Sequence, residues 1–165
     1  MKADMDLRTG LREVIAGTEP PSERLGRVCA LLLEGMPACD WAGYYVVDPS
    51  EPGMLVLGPF AGEPTEHVRI RFGEGVCGQA AAALRTFIID DVSAEPNYLS
   101  CSPAVRSEIV VPVFHEGRLI GELDLDSHQV SGFSTGDSAM LGWLAEQTAG
   151  TLAELAALLR GDGCS

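Results

Sequence analysis

The stretch SEIVVPVFHEGRLIGELDLDS, residues 107–127, decides the fold. Two β-rich runs, Ser107 to Phe114 and Arg118 to Asp126, meet at Glu116 and Gly117, which suits a tight hairpin. Side chains along a strand alternate between faces. On the second run Leu119, Gly121, Leu123 and Leu125 therefore share a packing face, while Ile120, Glu122, Asp124 and Asp126 share the other. The partner run turns Ile109, Val111 and Val113 to the apolar side and leaves Glu108 on the acidic side, near Asp124. Whether Glu108 meets Asp124 directly depends on a one-residue choice of register, which sequence leaves open.

Outward from this hairpin, the punctuation continues on both sides. Pro21 and Ser22 open a helix in which Leu25, Val28, Leu31 and Leu32 recur at helical spacing, ending near Gly35 and Pro37. Short β-rich runs follow at 41–47, 54–60 and 67–72, separated by Pro and Gly clusters as in an antiparallel meander. Gly78 to Leu84, with four consecutive alanines, reads as a short helix, and Phe87 to Asp90 as a strand. Val92 to Arg106 has almost no periodic pattern, and a loop of that length in a compact domain is usually functional or disordered. Ser134 with Asp137 resembles a capping box opening a last helix that carries Leu141, Leu144, Ala145, Thr148 and Leu152. The order implies an α+β fold: a central antiparallel sheet with N- and C-terminal helices packed on one face. Residues 1–39 form the N-terminal helical segment, 40–160 the core with its C-terminal helix, and 161–165 a flexible tail containing Cys164.

At 165 residues and 46% apolar composition the chain suits one domain with a real core and a small pocket. A formal charge of −13, with 11 scattered basic residues, excludes nucleic acid and anionic membrane surfaces as partners. No apolar run approaches spanning length and no secretory signal is visible, so a cytoplasmic location with reduced thiols is expected. The five cysteines make no CxxC pair, which argues against both structural zinc and a disulfide framework. Helices at both chain ends offer a face for a symmetric homodimer.

Three carboxylates at close quarters, Glu108, Asp124 and Asp126, repel one another unless a cation, an ammonium group or a bound proton relieves them. Raised pKa values there suit a general acid. The plainer alternatives are solvated acids on an exposed sheet face and, less favoured, a hard-cation site without the calcium-loop spacing. Among the thiols, Cys101 lies in the long loop between Ser100 and Ser102, an accessible polar setting. Cys77 sits in Gly73 to Gly78, where glycines allow a ligand to approach and a following helix N-terminus would favour a thiolate. That glycine run lacks the spacing and lysine of a P-loop. Cys29 falls on an apolar helix stripe, and Cys39 precedes a strand. His67, His115 and His128 are isolated, whereas Trp41 and Tyr45 share a strand face and could wall a pocket.

From Asp40 to Leu144 these blocks resemble the free methionine-(R)-sulfoxide reductases, enzymes built on a GAF domain. The resemblance is carried by Trp41-Ala42-Gly43-Tyr44-Tyr45, Leu55 to Phe60, Val68-Arg69-Ile70, Gly73 to Gly78, Cys101, Ser107 to Val110, and Leu123 to Ser127. It implies a GAF-like fold and reduction of free methionine sulfoxide with no bound cofactor or metal. Cys101 would attack the sulfoxide sulfur and become a sulfenic acid, and a second thiol would convert this to a disulfide recycled by thioredoxin. Glu108, Asp124 and Asp126 match the family's pocket acids, and Trp41 and Tyr45 match the wall around the methyl-sulfur end. His67 stands where the family has a resolving cysteine, so the resemblance leaves Cys77 or an external thiol to resolve Cys101. Ser102 replaces an acidic residue, and Pro103 is additional. The rival expectation is a non-catalytic GAF module that binds a small ligand or senses oxidation, because fold alone does not define activity.

Overall fold

The computed structural model describes residues 2–98 and 103–161. Among these, helices α1 (Lys2–Ile15) and α2 (Pro21–Gly35) precede strands β1 (Trp41–Val47), β2 (Met54–Ala61) and β3 (Arg69–Arg71). Helix α3 (Gly75–Ala83), strands β4 (Phe87–Ile89), β5 (Ser107–His115) and β6 (Arg118–Ser127), and helix α4 (Thr135–Gly161) complete the order. The strands form one sheet in the order β3-β2-β1-β6-β5-β4, with antiparallel pairing throughout.

The α+β architecture expected from the sequence is present, and its local signals take their expected geometry. Pro21 begins α2, where a missing N–H costs nothing, and Leu25, Val28, Cys29 and Leu32 form its buried stripe. At the start of α4 the Asp137 N–H donates to Ser134 Oγ (3.1 Å) and the Ser134 N–H donates to Asp137 Oδ2 (2.8 Å), a reciprocal cap. The β5–β6 hairpin turns on Glu116 and Gly117, both with positive φ (52° and 77°), as a two-residue hairpin loop requires.

The sheet separates two apolar cores. On one face Ile109, Val111, Leu123 and Leu125 pack with Leu25, Val28 and Leu32 of α2 and with Leu141 and Leu144 of α4. The other face is covered by α3: Trp41, Tyr45, Leu55, Ile70 and Val110 pack with Val76, Cys77, Ala80 and Ala81. The small residues of α3 permit this close seat. A Cβ at Gly78 would lie 2.3 Å from the Arg71 carbonyl oxygen, a position only glycine can occupy without displacement.

Several details differ from the sequence reading. Residues 2–15 form a separate helix, joined to α2 through Gly17 and Pro20. Helix α3 starts at Gly75 rather than Gly78, because Asn97, distant in sequence, accepts a hydrogen bond from the Gly75 N–H. Strand β3 is three residues long. Leu119 and Ile120 exchange faces: Leu119 packs in the α3 core and Ile120 in the other. A bulge explains the exchange, since Val113 pairs with Gly121 but Phe114 with Leu119, leaving Ile120 as the extra residue. The described part of the patternless segment includes a helical turn, Val92–Ala94, capped by the Asp91 side chain. Among the described residues no helix is long and apolar enough to cross a membrane.

Candidate active site

The pairing register places the acids. On the α3 side of the sheet, Trp41, Gly43 and Tyr45 of β1 stand opposite Asp126, Asp124 and Glu122 of β6. On the other flank Glu108 of β5 pairs with Asp126, and Val110 with Asp124. The register question is thereby answered: Glu108 is diagonal to Asp124, still within side-chain reach. All four acids are buried, Glu108 at 5% exposure, Asp124 and Asp126 at 1% and Glu122 at 0%. The exposed-face alternative is therefore excluded. That α3 would roof this side of the sheet was not legible beforehand, because the hydrophobic pattern of four alanines is the same on every face.

Cys77 lies in the first turn of α3 and points at the acids. Its Sγ is 3.9 Å from Glu108 Oε2, and ligand atoms of Cys77, Glu108 and Asp124 all fall within 4.8 Å of one another. The expectation of an activated thiolate at a helix N-terminus does not hold for Cys77. Burial pushes its thiol well up, and Asp124, Glu108, Glu122 and Asp126 push in the same direction. The four carboxyl groups outweigh the dipole of a nine-residue helix. Cys29 and Cys39 are also buried, and desolvation carries Cys39 up to about 12, so neither is an activated nucleophile.

Burial favours the protonated form of two of these acids. Burial raises Glu122 well above the usual carboxylate range, and the charge of Asp124 adds to the shift. Asp124 is raised by burial too, while hydrogen bonds from Glu108 and Cys77 offset part of the rise. Hydrogen bonding between two carboxyl groups needs a proton between them, so Glu108 and Asp124 share one.

Tyr45, His67, Glu74, Cys77, Glu108 and Asp124 line a pocket whose free space is about 10 Å³. That is room for about one water, so an amino-acid-sized ligand requires lining side chains to move. The Tyr45 hydroxyl donates to the His67 carbonyl oxygen (2.8 Å). Trp41 stacks on Phe60 at 5.7 Å and donates its indole N–H to the Glu63 carbonyl oxygen (2.9 Å). Gly43 makes room for this ring, since a Cβ there would lie 2.4 Å from Trp41 Cη2. Tyr45, Cys77, Glu108 and Asp124 are thus gathered around one pocket, with Trp41 and Asp126 paired one register step away on the same face. A wider cleft of about 300 Å³ opens between Val47, His115, Arg118 and Arg160, but among the described residues no cysteine lines it.

Cys101, the nucleophile expected from the sequence, lies outside the described residues, as does Cys164. Upstream, Asn97 is tied to the start of α3. Its Nδ2 donates to the Gly73 carbonyl oxygen (2.8 Å) and its Oδ1 accepts from the Gly75 N–H (3.1 Å), beside Cys77. Sequence reasoning passed over two residues. Asn97 gave no signal beyond its loop position. Glu122 was legible from strand alternation, but its burial was not.

The six-stranded antiparallel sheet flanked by helices on both faces is that of a GAF domain, and the GAF domain family matches residues 18–153. The chain is 36% identical over 148 residues to the Escherichia coli free methionine-R-sulfoxide reductase, covering 90% of this chain and 87% of that protein. It is 38% identical over 154 residues to the Bacillus subtilis protein YtsP, covering 92% and 93%. The structure of free methionine-R-sulfoxide reductase from Neisseria meningitidis in complex with its substrate superposes with a TM-score of 0.83 at 38% identity, covering 93% of this chain and 92% of that one. The chain therefore belongs to the free methionine-R-sulfoxide reductase family of GAF-domain proteins.

Proposed function

We propose that this protein reduces free methionine-(R)-sulfoxide to methionine. The observation that carries the reading is the buried constellation of a thiol, Cys77, against Glu108 and Asp124 beside Tyr45. A buried acid cluster that retains protons can both receive an ammonium group and protonate a departing oxygen. The names of the relatives and the substrate complex of the Neisseria enzyme support the same substrate.

In this reading the Cys101 thiolate attacks the sulfoxide sulfur, and an acid of the cluster protonates the oxygen. Methionine leaves and Cys101 becomes a sulfenic acid, so the oxygen and two oxidising equivalents pass from substrate to enzyme. The Cys77 thiol then attacks the sulfenic sulfur, forming a disulfide and releasing water. A raised Cys77 pKa is tolerable here because neighbouring carboxylates can accept its proton as it attacks. Thioredoxin supplies the two electrons that restore both thiols. The sum is sulfoxide plus dithiol giving thioether, disulfide and water. Asp126 and Asp124 face the ammonium, and Trp41 and Tyr45 receive the methyl-sulfur end.

The test follows NADPH consumption with free methionine-(R)-sulfoxide, thioredoxin and its reductase, beside a Cys101→Ser control. Consumption that depends on Cys101 is expected. No consumption with either thioredoxin or dithiothreitol overturns the reading in favour of a binding or sensing GAF module.

A further inference from the structure

Glu122 has no role in the chemistry above, yet it is the most completely buried acid of the site. It stands opposite Tyr45 on β1 and Pro112 on β5, on the same face of β6 as Asp124. Neither of its carboxylate oxygens has a hydrogen-bond partner among the described residues. Asp124 Oδ1 is in the same condition, although the rest of that carboxyl group is engaged by Glu108 and Cys77. Leaving three buried acceptor atoms unsatisfied would be costly. Same-face neighbours on a strand are about 7 Å apart along the backbone, a gap that Glu and Asp side chains can close by rotating together.

We propose that Glu122 is a positioning residue for Asp124: from one register step away it donates the hydrogen bond that Asp124 Oδ1 lacks, and so fixes the carboxylate that faces the ligand's ammonium. The inference rests on the reductase reading and adds to it a determinant of substrate orientation. A donor role needs a carboxylic acid, which carries one O–H. The groups nearest Glu122 are Tyr45 opposite it on β1, Asp124 on its own face of β6, and Cys77 of α3, whose thiol senses its charge. Each is neutral or becomes negative, so none stabilises an ionised Glu122. Desolvation raises both Glu122 and Asp124, but only Asp124 has hydrogen bonds that lower it. Asp124 is therefore the first of the two to ionise, and Glu122 keeps the proton with which it donates. Two neighbouring acids take different protonation states because their surroundings differ.

The experiment is a ¹³C-carboxyl NMR titration of the full chain, wild type against E122Q and E122L. Glu122 is expected to remain protonated at pH 7, and finding it ionised there overturns the proposal without touching the reductase reading. Asp124 should titrate at higher pH in E122L, which lacks a donor, with its proton affinity raised roughly tenfold, the equivalent of one lost hydrogen bond. In E122Q, whose amide can still donate, it should stay near the wild-type value. An Asp124 titration unchanged in E122L overturns the proposal. If E122L does not fold, the wild-type titration still decides. Steady-state kinetics should show KM for the sulfoxide raised about tenfold in E122L and within about threefold in E122Q. A wild type that turns over no sulfoxide removes the reductase reading, while the two titrations still judge the Glu122–Asp124 pair.

Discussion

Cys77 Sγ lies 3.9 Å from Glu108 Oε2, and both groups are shut away from solvent between α3 and the sheet. Burial above all, with Asp124, Glu108 and the other acids adding to it, raises the thiol and makes it a poor nucleophile until its proton has somewhere to go. Cys77 should therefore alkylate slowly with iodoacetamide at pH 7 and faster as pH rises. Glu108→Gln should speed the reaction at a given pH by removing one of the acids that oppose ionisation of the thiol. An alkylation rate that is already maximal at pH 7 would contradict the geometry.

Division of labour between the thiols is tested by turnover. Cys101→Ser should abolish sulfoxide reduction with an unchanged circular dichroism spectrum. Cys77→Ser should release one equivalent of methionine per protein in a single turnover and then stop under thioredoxin. Continued cycling at the wild-type rate would mean that an external thiol resolves Cys101 directly.

Asp126 stands opposite Trp41 on one side and Glu108 on the other. Asp126→Asn should raise KM for the free sulfoxide about tenfold, the rough worth of one charge-assisted contact, with a smaller change in kcat. An unchanged KM would move the ammonium elsewhere in the cluster.

The acids should also be visible in stability. Glu122 and Asp124 bind protons more tightly in the folded protein than in the unfolded chain. Between the ordinary carboxylate range and their raised folded values the native state thus holds more protons, so stability falls as pH rises through that window. Glu122→Leu removes one of these groups. Thermal melts should show the variant more stable than wild type at pH 8, by roughly 1–3 kcal/mol, with the gap narrowing toward pH 4. A gap independent of pH would mean that Glu122 ionises as freely when folded as when unfolded.

Gly78 gives a purely steric prediction. A methyl group there meets the Arg71 carbonyl oxygen at 2.3 Å, so Gly78→Ala should cost roughly 1–3 kcal/mol and lower the melting temperature. The displaced α3 should also slow disulfide formation at Cys77. A melting temperature equal to wild type would show that α3 can shift without strain.

The hairpin, the α2 stripe and the α4 cap were legible because each is written in adjacent residues. Ser134 with Asp137 and Glu116 with Gly117 fix their local geometry whatever lies around them. Alternation likewise put Glu108, Glu122, Asp124 and Asp126 on one face. Their burial was not legible, because it depends on α3 folding over them, and α3 is seated by Asn97, some twenty residues downstream of Gly75. For the same reason the local environment of Cys77 suggested a lowered pKa, while the tertiary environment raises it. The Leu119–Ile120 exchange followed from a bulge that no turn residue announces.

The roofed acid face also grades ligands by the charge on their nitrogen. A free amino acid brings an ammonium group that offsets the buried carboxylates, whereas the same side chain inside a polypeptide presents an uncharged amide and leaves them uncompensated. Under the proposed function, an arrangement that costs the fold stability while empty would favour single amino acids over protein-bound residues through charge alone.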